Sequence, residues 1–462
     1  MTGTYEYIVV GSGAGGGVVA YNLAQTGADC LMIEAGKYYT KETFPRNEAD
    51  ASAQLYWGGG LEFSNDARMA FLRGKVIGGS TIVNQALVDR FDELAFNDWR
   101  SESGVDFFTL EAMNPYYDRI EEFLAVHVFE EQERNRNAEL FVKGCNTLGY
   151  GWHFLHRAQS DCAFERNNDC IVCLGGCHRD SKQSTLITYI RQAEKLGLKI
   201  QADTMVERIE SFGKGYKLYA ISQGQQKEFV CDKLILAGGT FGTNHMLLRS
   251  GFGEQLPALG KYFCTHPQFM YFGIYDEAIN AHKGMFQTVA SKDDRFRQRG
   301  FKLENVFAGP VSTALLFNGF GSDHAEFMRN YTRITCAEVA VRDENIGELA
   351  VDKKDKLIIR KPLTDQDRAR MKDGVSVLKE ILAASGAKKV VESPHFFGLH
   401  MMGGCRMGID PRRSVVNPEF QVHGYDNLYI SDASLFPNAP GINPSLTIFA
   451  LAQRLSDQLV GR

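Results

Sequence analysis

The segment from Tyr7 to Glu34 constrains the fold of this chain more than any other. Tyr7-Ile8-Val9-Val10 is a short apolar, β-branched run of the kind that forms a buried parallel strand. It meets Gly11-Ser12-Gly13-Ala14-Gly15-Gly16-Gly17 and then Val18-Val19-Ala20-Tyr21-Asn22-Leu23-Ala24, which reads as a helix. Gly27 stops that helix, and Cys30-Leu31-Met32-Ile33 is a second strand that closes on Glu34. Gly11, Gly13 and Gly16, followed 18 residues later by Glu34, have the spacing of a dinucleotide-binding βαβ unit. Gly11 permits the tight turn, and Gly13 lets the backbone approach a pyrophosphate. Ala14 opens the helix whose N-terminus faces the phosphate charge, and Gly16 allows close helix–strand packing. Glu34 would accept hydrogen bonds from a ribose. The glycines do not separate NAD from FAD, but an acid at position 34 disfavours the 2′-phosphate of NADP.

A chain of 462 residues can hold two or three domains with ample core. Its formal charge of −5 argues against nucleic acid or an anionic membrane surface as the main partner. No apolar run approaches the roughly 18 residues of a spanning helix. The opening Met1-Thr2-Gly3-Thr4-Tyr5-Glu6 runs straight into a strand, so the expectation is no signal peptide and a cytoplasmic location, or export only with a partner.

Two further segments carry a resemblance. Gly74-Lys75-Val76-Ile77-Gly78-Gly79-Ser80-Thr81-Ile82-Val83-Asn84 is a Gly-Gly-Ser-Thr turn before an apolar run. Gly238-Gly239-Thr240-Phe241-Gly242-Thr243-Asn244 follows the predicted strand Lys233-Leu234-Ile235-Leu236-Ala237. Near the C-terminus stand His400-Met401-Met402-Gly403-Gly404-Cys405, then Asp432-Ala433-Ser434, then Gly441-Ile442-Asn443-Pro444. In this order the blocks resemble the signature segments of the glucose–methanol–choline (GMC) oxidoreductases.

That resemblance implies FAD as the cofactor. It places Gly79, Ser80, Thr81 and Asn84 beside the pyrophosphate or isoalloxazine, Val206 near the adenine through its backbone, and Asp432 and Ala433 near the pyrophosphate and ribityl chain. Asn443 would sit at the flavin as well as at the substrate. The implied fold class is α/β: a Rossmann-like FAD-binding domain plus a substrate domain with an antiparallel β-sheet and helices. The FAD-binding domain is expected to be discontinuous, over residues 1–105, 195–265 and 395–462. An insertion at 106–194 holds a cysteine cluster, and 266–394 forms the substrate domain. Within the last, Gln268 to Tyr275 and Thr332 to Val341 alternate as strands do. Thr364 with Asp367 three residues on is a capping pair for a helix that Gly386 ends.

Oxidation of an alcohol at a flavin removes a hydroxyl proton and transfers a hydride to N5. The protein supplies the base and the geometry. His400 is the candidate base, and Asn443, 43 residues later, is the candidate amide donor that orients the carbon. The substrate is expected to be a small-molecule alcohol, whether sugar, sterol or another primary or secondary alcohol. A hydroxynitrile-lyase-like enzyme keeping FAD without net redox turnover is the rival class.

Four of the ten cysteines, Cys162, Cys170, Cys173 and Cys177, crowd into one segment. Thiolates at such spacing ligate iron–sulfur centres, and zinc accepts four thiolates too. Reduced thiols or a disulfide stay open. In some relatives of this family a cysteine-rich turn holds a three-iron cluster. A 3Fe-4S or 4Fe-4S cluster would pass electrons to an external acceptor, such as a cytochrome or a small subunit. Without one, an oxygen-using oxidase is expected.

Overall fold

A computed structural model describes residues 3–160, 162, 173–317 and 319–462. Two sheets organise it. The first begins with the strand Gly3–Val10, whose inner half, Tyr7 to Val10, is buried while its outer half alternates toward solvent. It pairs in parallel with Cys30–Ile33, all four residues of which are buried, and the helix Ala14–Gln25 crosses between them. On its other side Gly3–Val10 pairs in parallel with the C-terminal part of Gln225–Leu236, which pairs in parallel in turn with Leu428–Ile430. Gly215–Ser222 and Thr204–Phe212 continue this sheet as antiparallel neighbours, and Lys199–Gln201 pairs at the opposite edge.

The registers Val10↔Ile33, Val10↔Leu236 and Leu236↔Ile430 bring four parallel strands to an end at one level. The residues that follow, Gly11, Glu34, Ala237 and Ser431, therefore leave the sheet together. Such a carboxyl-end crevice is where open α/β sheets bind ligands. Gly11 makes the tightest exit: its φ is +102°, and a Cβ there would lie 2.2 Å from the Ala237 carbonyl oxygen.

The second sheet runs Glu62–Phe63, Met69–Phe71, Lys389–Gly398, Pro267–Ile274, Ile334–Val341, Phe301–Asn305, Val289–Ser291 and Trp152–Phe154 among the described residues. Its pairings are antiparallel except that of Met69–Phe71 with Lys389–Gly398. Period-two alternation decides what each face does. Phe269, Tyr271, Ala337, Val339, Phe301 and Leu303 share a buried cluster with Leu378 and Ile381 of the helix Asp365–Ser385 and with Phe141 of Arg136–Leu148. The opposite positions, Gln268, Met270, Phe272, Cys336, Glu338 and Glu304, face a cavity. Thr364 and Asp367 close the capping box expected of them, and Gly386, at φ +108°, ends the helix.

The expected strands are present, with longer bounds than the apolar runs suggest. Gly3–Val10 reaches back four residues beyond Tyr7 because the edge of Gln225–Leu236 gives their backbone partners. Strands from residues 62–71 and 152–154 join the second sheet, beyond the segment 266–394.

Candidate active site

One cavity of about 1370 Å³ connects the crevice of the first sheet to the inner face of the second. The end of it at the first sheet is built from backbone. The helix Ala14–Gln25 starts at Gly13 with no side-chain cap and no acidic residue in its first turn, so its first N–H groups are left for a ligand anion. A Cβ on Gly13 would meet nothing within 4 Å, because that direction opens into the cavity. A Cβ on Gly15 would lie 1.5 Å from the Ser431 carbonyl oxygen, and one on Gly16 would lie 2.0 Å from that of Gly11. Gly13 thus serves the ligand, while Gly15 and Gly16 serve packing. Gly11, Ala14 and Glu34 line the cavity; Gly16 lies behind the turn.

Glu34, just after the strand Cys30–Ile33, braces the turns around it. Its Oε2 accepts from the Ser12 amide at 3.1 Å and the Ser12 hydroxyl at 2.7 Å, and its Oε1 from the Gly36 amide at 2.8 Å. The Ser12 hydroxyl oxygen accepts from the Gly78 amide at 2.9 Å, which ties the second glycine turn to the first. Burial pushes the Glu34 carboxyl up, and those hydrogen bonds pull against it. The Gly79 turn presses on Gly13: a Cβ on Gly79 would stand 2.9 Å from the Gly13 Cα. The Ser80 hydroxyl oxygen accepts from the Gly74 amide at 3.0 Å, and Asn84 Oδ1 from the Ala86 amide at 3.0 Å. Asp432 accepts from the Gly239 amide at 3.0 Å, the Thr243 hydroxyl at 2.5 Å and the Ser434 amide at 2.8 Å. It is thereby a brace between two turns. Gly79, Ser80, Asn84, Val206, Asp432 and Ala433 all border the same cavity. A row of uncapped amides, an open path at Gly13 and an acid at the ribose position fit a dinucleotide.

At the junction of the two sheets stand His400 and Asn443, both on the cavity wall. His400 is half-buried. Burial, reinforced by the Lys302 ammonium, pushes its imidazole down to about 4, so it is neutral at pH 7. Asn443 lies on the turn into the C-terminal helix Ser445–Val460, and its amide makes no hydrogen bond to another described residue. Ser445 fixes that turn by donating to the Leu87 carbonyl at 3.0 Å.

Sequence reasoning passed over His266. It is 2% exposed, and its ring meets that of His400 edge-on, Nδ1 to Nδ1 at 2.9 Å. Its Nε2 accepts from the Gly441 amide at 2.8 Å, two residues before Asn443. Also missed was a polar row crossing the inner face of the second sheet. Gln268 donates to Glu338 at 3.3 Å, Glu338 stands opposite Glu304 in register, Gln287 donates to Glu304, and Lys302 pairs with Glu304 and, at 3.4 Å, with Asp89. A signal for it existed: Glu338 falls in phase with Cys336 inside a strand whose other residues, Thr335 aside, are apolar. The same cavity is also lined by apolar Met270, Phe272, Val306, Phe307, Phe396 and Phe397, and by Leu61, Phe63 and Leu315, which are 61%, 45% and 65% exposed.

Burial, then the Glu304 charge, pushes the Glu338 carboxyl up to about 8, so it is protonated at neutral pH. A carboxyl whose pKa is raised on folding contributes stability that is complete below the ordinary glutamate range and is lost as pH rises toward about 8. Glu338→Gln, which keeps the shape of the protonated acid, is therefore expected to flatten the alkaline fall in thermal stability between pH 5 and 9. It should raise Tm above the parent value at pH 8 and leave the two within a degree or so at pH 5. Thermal melts across that range measure it.

Cys170 lies outside the described residues. Cys162, Cys173 and Cys177 are free thiols near one another: Cys173 and Cys177 add to the upward shift of Cys162, and Cys177 to that of Cys173. Burial pushes the Cys162 thiol up to about 11 and raises Cys173 too, so those two are protonated. Among the described residues no three His, Cys, Asp or Glu side chains are arranged to hold a metal ion. Lys182 ties this segment to the cofactor turn, donating to the carbonyls of Ile82 at 2.8 Å, of Asn84 at 2.6 Å and of Cys173.

No described helix is long and apolar enough to cross a membrane. Family models described as GMC oxidoreductase match residues 52–268 and 347–452. A GMC-type oxidoreductase of Mycobacterium tuberculosis is 26% identical over 99% of this chain and 76% of its own length. A long-chain-alcohol oxidase of Arabidopsis thaliana is 27% identical over 97% of this chain and 67% of its own. Among solved structures, pyridoxine 4-oxidase from Mesorbium loti superposes with a TM-score of 0.75 at 16% identity, covering 99% of both chains. A formate oxidase does so at 0.74 and 15%, covering 100% of this chain and 98% of its own.

Proposed function

Because the chain belongs to the GMC oxidoreductase family, we propose that it is an FAD-dependent enzyme that oxidises the CH–OH group of a primary alcohol with a long apolar chain. The carrying observation is the polarity of the cavity. One continuous space runs from a neutral imidazole and an unengaged amide, past a polar row, into an apolar lobe with leucines at its mouth. A hydroxyl fits the first part and a hydrocarbon chain the last. The likeness to a plant long-chain-alcohol oxidase supports the same substrate class.

FAD, when bound, supplies the two-electron acceptor for the hydride. The protein's part is to hold and to exclude. The Gly11–Gly16 turn and the uncapped N-terminus of Ala14–Gln25 hold the phosphates, and Glu34 the ribose. Asn443 donates an amide hydrogen to the substrate oxygen, and His400, which lines the same cavity, meets the same oxygen. Removal of the hydroxyl proton by His400 requires a bare Nε2 on that ring.

The test is a series of primary alcohols of increasing length. Each added methylene is expected to lower KM by up to about fourfold, the equivalent of ~0.8 kcal/mol of apolar burial, until the chain reaches the mouth. KM indifferent to length, with short polyols as the better substrates, would overturn this reading.

Oxygen is the proposed electron acceptor. A cluster relay through Cys162, Cys170, Cys173 and Cys177 to a cytochrome is the second reading, supported by the closeness of three of those thiols to one another and to the cofactor turn. Stoichiometric iron in anaerobically purified protein would put it first; flavin bands without iron would remove it.

A further inference from the structure

We propose that His266 is a positioning residue that fixes the tautomer of His400, so that the enzyme at rest presents His400 Nε2–H, a hydrogen-bond donor, to the substrate oxygen. This rests on the reading of His400 as the group that meets that oxygen.

The inference follows from one fixed donor. The backbone amide of Gly441 can only donate, and it points at His266 Nε2 from 2.8 Å. That nitrogen must therefore be bare. A neutral imidazole carries one ring proton, so the proton of His266 sits on Nδ1. An imidazolium at His266 would set two N–H groups against each other at Gly441, so the ring is neutral. From Nδ1 it donates across 2.9 Å to His400 Nδ1, which must be bare in its turn. The proton of His400 is thereby left on Nε2. The polarity runs one way, from Gly441 N–H to His266 to His400 to the cavity.

The surroundings hold this arrangement. The amide of Thr265, next to His266, donates to Asp343 at 3.2 Å, and Asp343 pairs with Lys361 at 2.7 Å, both side chains fully buried. The charges facing the two rings come from several elements. Lys302 of the strand Phe301–Asn305 acts on both, Arg297 of the helix Asp294–Arg299 and Arg342 after Ile334–Val341 act on His266, and Asp89 acts on His400. Burial is the main cause that holds both rings neutral, and three of these four charges are cations that add to it. The base role expected of His400 needs a bare Nε2, which this chain of bonds does not leave at rest, so the substrate's hydroxyl proton passes to water in the cavity, which reaches solvent at the exposed Leu61, Phe63 and Leu315, while His400 Nε2–H holds the oxygen. A neutral imidazole that donates to a substrate oxygen is an established catalytic arrangement elsewhere.

The direct test is nitrogen-15 NMR of holoenzyme labelled in histidine, with His400→Gln and His266→Asn used for assignment. The expected spectrum has His400 Nε2 protonated and Nδ1 bare at pH 7; a bare Nε2 overturns the proposal. The kinetic test inverts the polarity. His266→Asn keeps a donor at the Nδ1 position and should keep flavin reduction within about threefold of the parent. His266→Asp places an acceptor there, draws the His400 proton to Nδ1 and favours the imidazolium. It should lower reduction at least a hundredfold and add a titration near neutral pH to the rate profile. Equal losses in the two variants with unchanged pH profiles would mean a packing role only, and would overturn the proposal. The NMR result stands without turnover, so failure to find an alcohol substrate and failure of the tautomer assignment are separate outcomes.

Discussion

Gly13→Ala is expected to give a folded, colourless protein. The reason lies in where its methyl group would go. The Gly13 backbone is at φ −70°, which alanine adopts without strain, and no atom of the protein stands within 4 Å of the added carbon. The chain therefore tolerates the change. The methyl instead fills the space in front of the uncapped amides of Ala14–Gln25, where a pyrophosphate must come to bonding distance. FAD affinity should fall at least a hundredfold, about 2.7 kcal/mol, while the Tm of the apoprotein stays within about 2 °C of the parent. Gly15→Ala is the contrasting control. Its methyl collides with the Ser431 carbonyl at 1.5 Å, so the strand exits at Gly11 and Ser431 cannot both keep their places. That variant should fail to accumulate as folded protein. The flavin-to-protein absorbance ratio and a thermal melt separate the two. A yellow Gly13→Ala protein would contradict the assignment of this turn to the cofactor.

His400→Ala should have the opposite signature, retaining the flavin and losing the reaction. His400 lines the cavity from the segment after the strand Lys389–Gly398 and belongs to none of the glycine turns at residues 11–16 and 78–80. Removing a group that handles the substrate hydroxyl costs about 10²–10⁴-fold in rate. Stopped-flow reduction under anaerobic conditions should show that loss in the reductive rate constant, with the flavin spectrum unchanged. His400→Gln adds a distinction, because its amide nitrogen can stand where Nε2–H stood. If His400 donates to the substrate oxygen, the glutamine variant should recover at least tenfold over alanine. Equal rates for the two would return His400 to the role of base. A reductive rate in His400→Ala equal to that of the parent would remove the residue from the chemistry altogether.

The parts of this molecule that were legible in its sequence are those in which neighbours in the chain are also neighbours in space. The turn from Val10 to Gly16 and the acid at Glu34 belong to one βαβ unit, so spacing alone placed them, and the crevice they form is where it was expected. The capping box at Thr364 is equally local. His400 and Asn443 came from resemblance rather than spacing, and both face the cavity. His266 was invisible because what matters about it is its contact with a ring 134 positions away, and a lone histidine before Pro267 carries no such sign. The Gln268–Glu338–Glu304 row needs three strands in register before its side chains meet, although an acid at Glu338 in a mostly apolar strand hinted at it. Glu34 was read as a ribose partner, and its bracing of Ser12 and Gly36 emerged only with the loop geometry. The cysteine spacing fixes proximity along the chain only, and Cys170, the second member of the group, lies outside the described residues.

The measurement that bears most directly on the central claim is an anaerobic titration of the holoenzyme with a long-chain primary alcohol, followed by the visible flavin spectrum. Bleaching of the oxidised flavin with one equivalent of aldehyde formed per flavin is the predicted result. A flavin left oxidised by saturating primary alcohols of every length, in protein whose FAD still accepts electrons from dithionite, would contradict it.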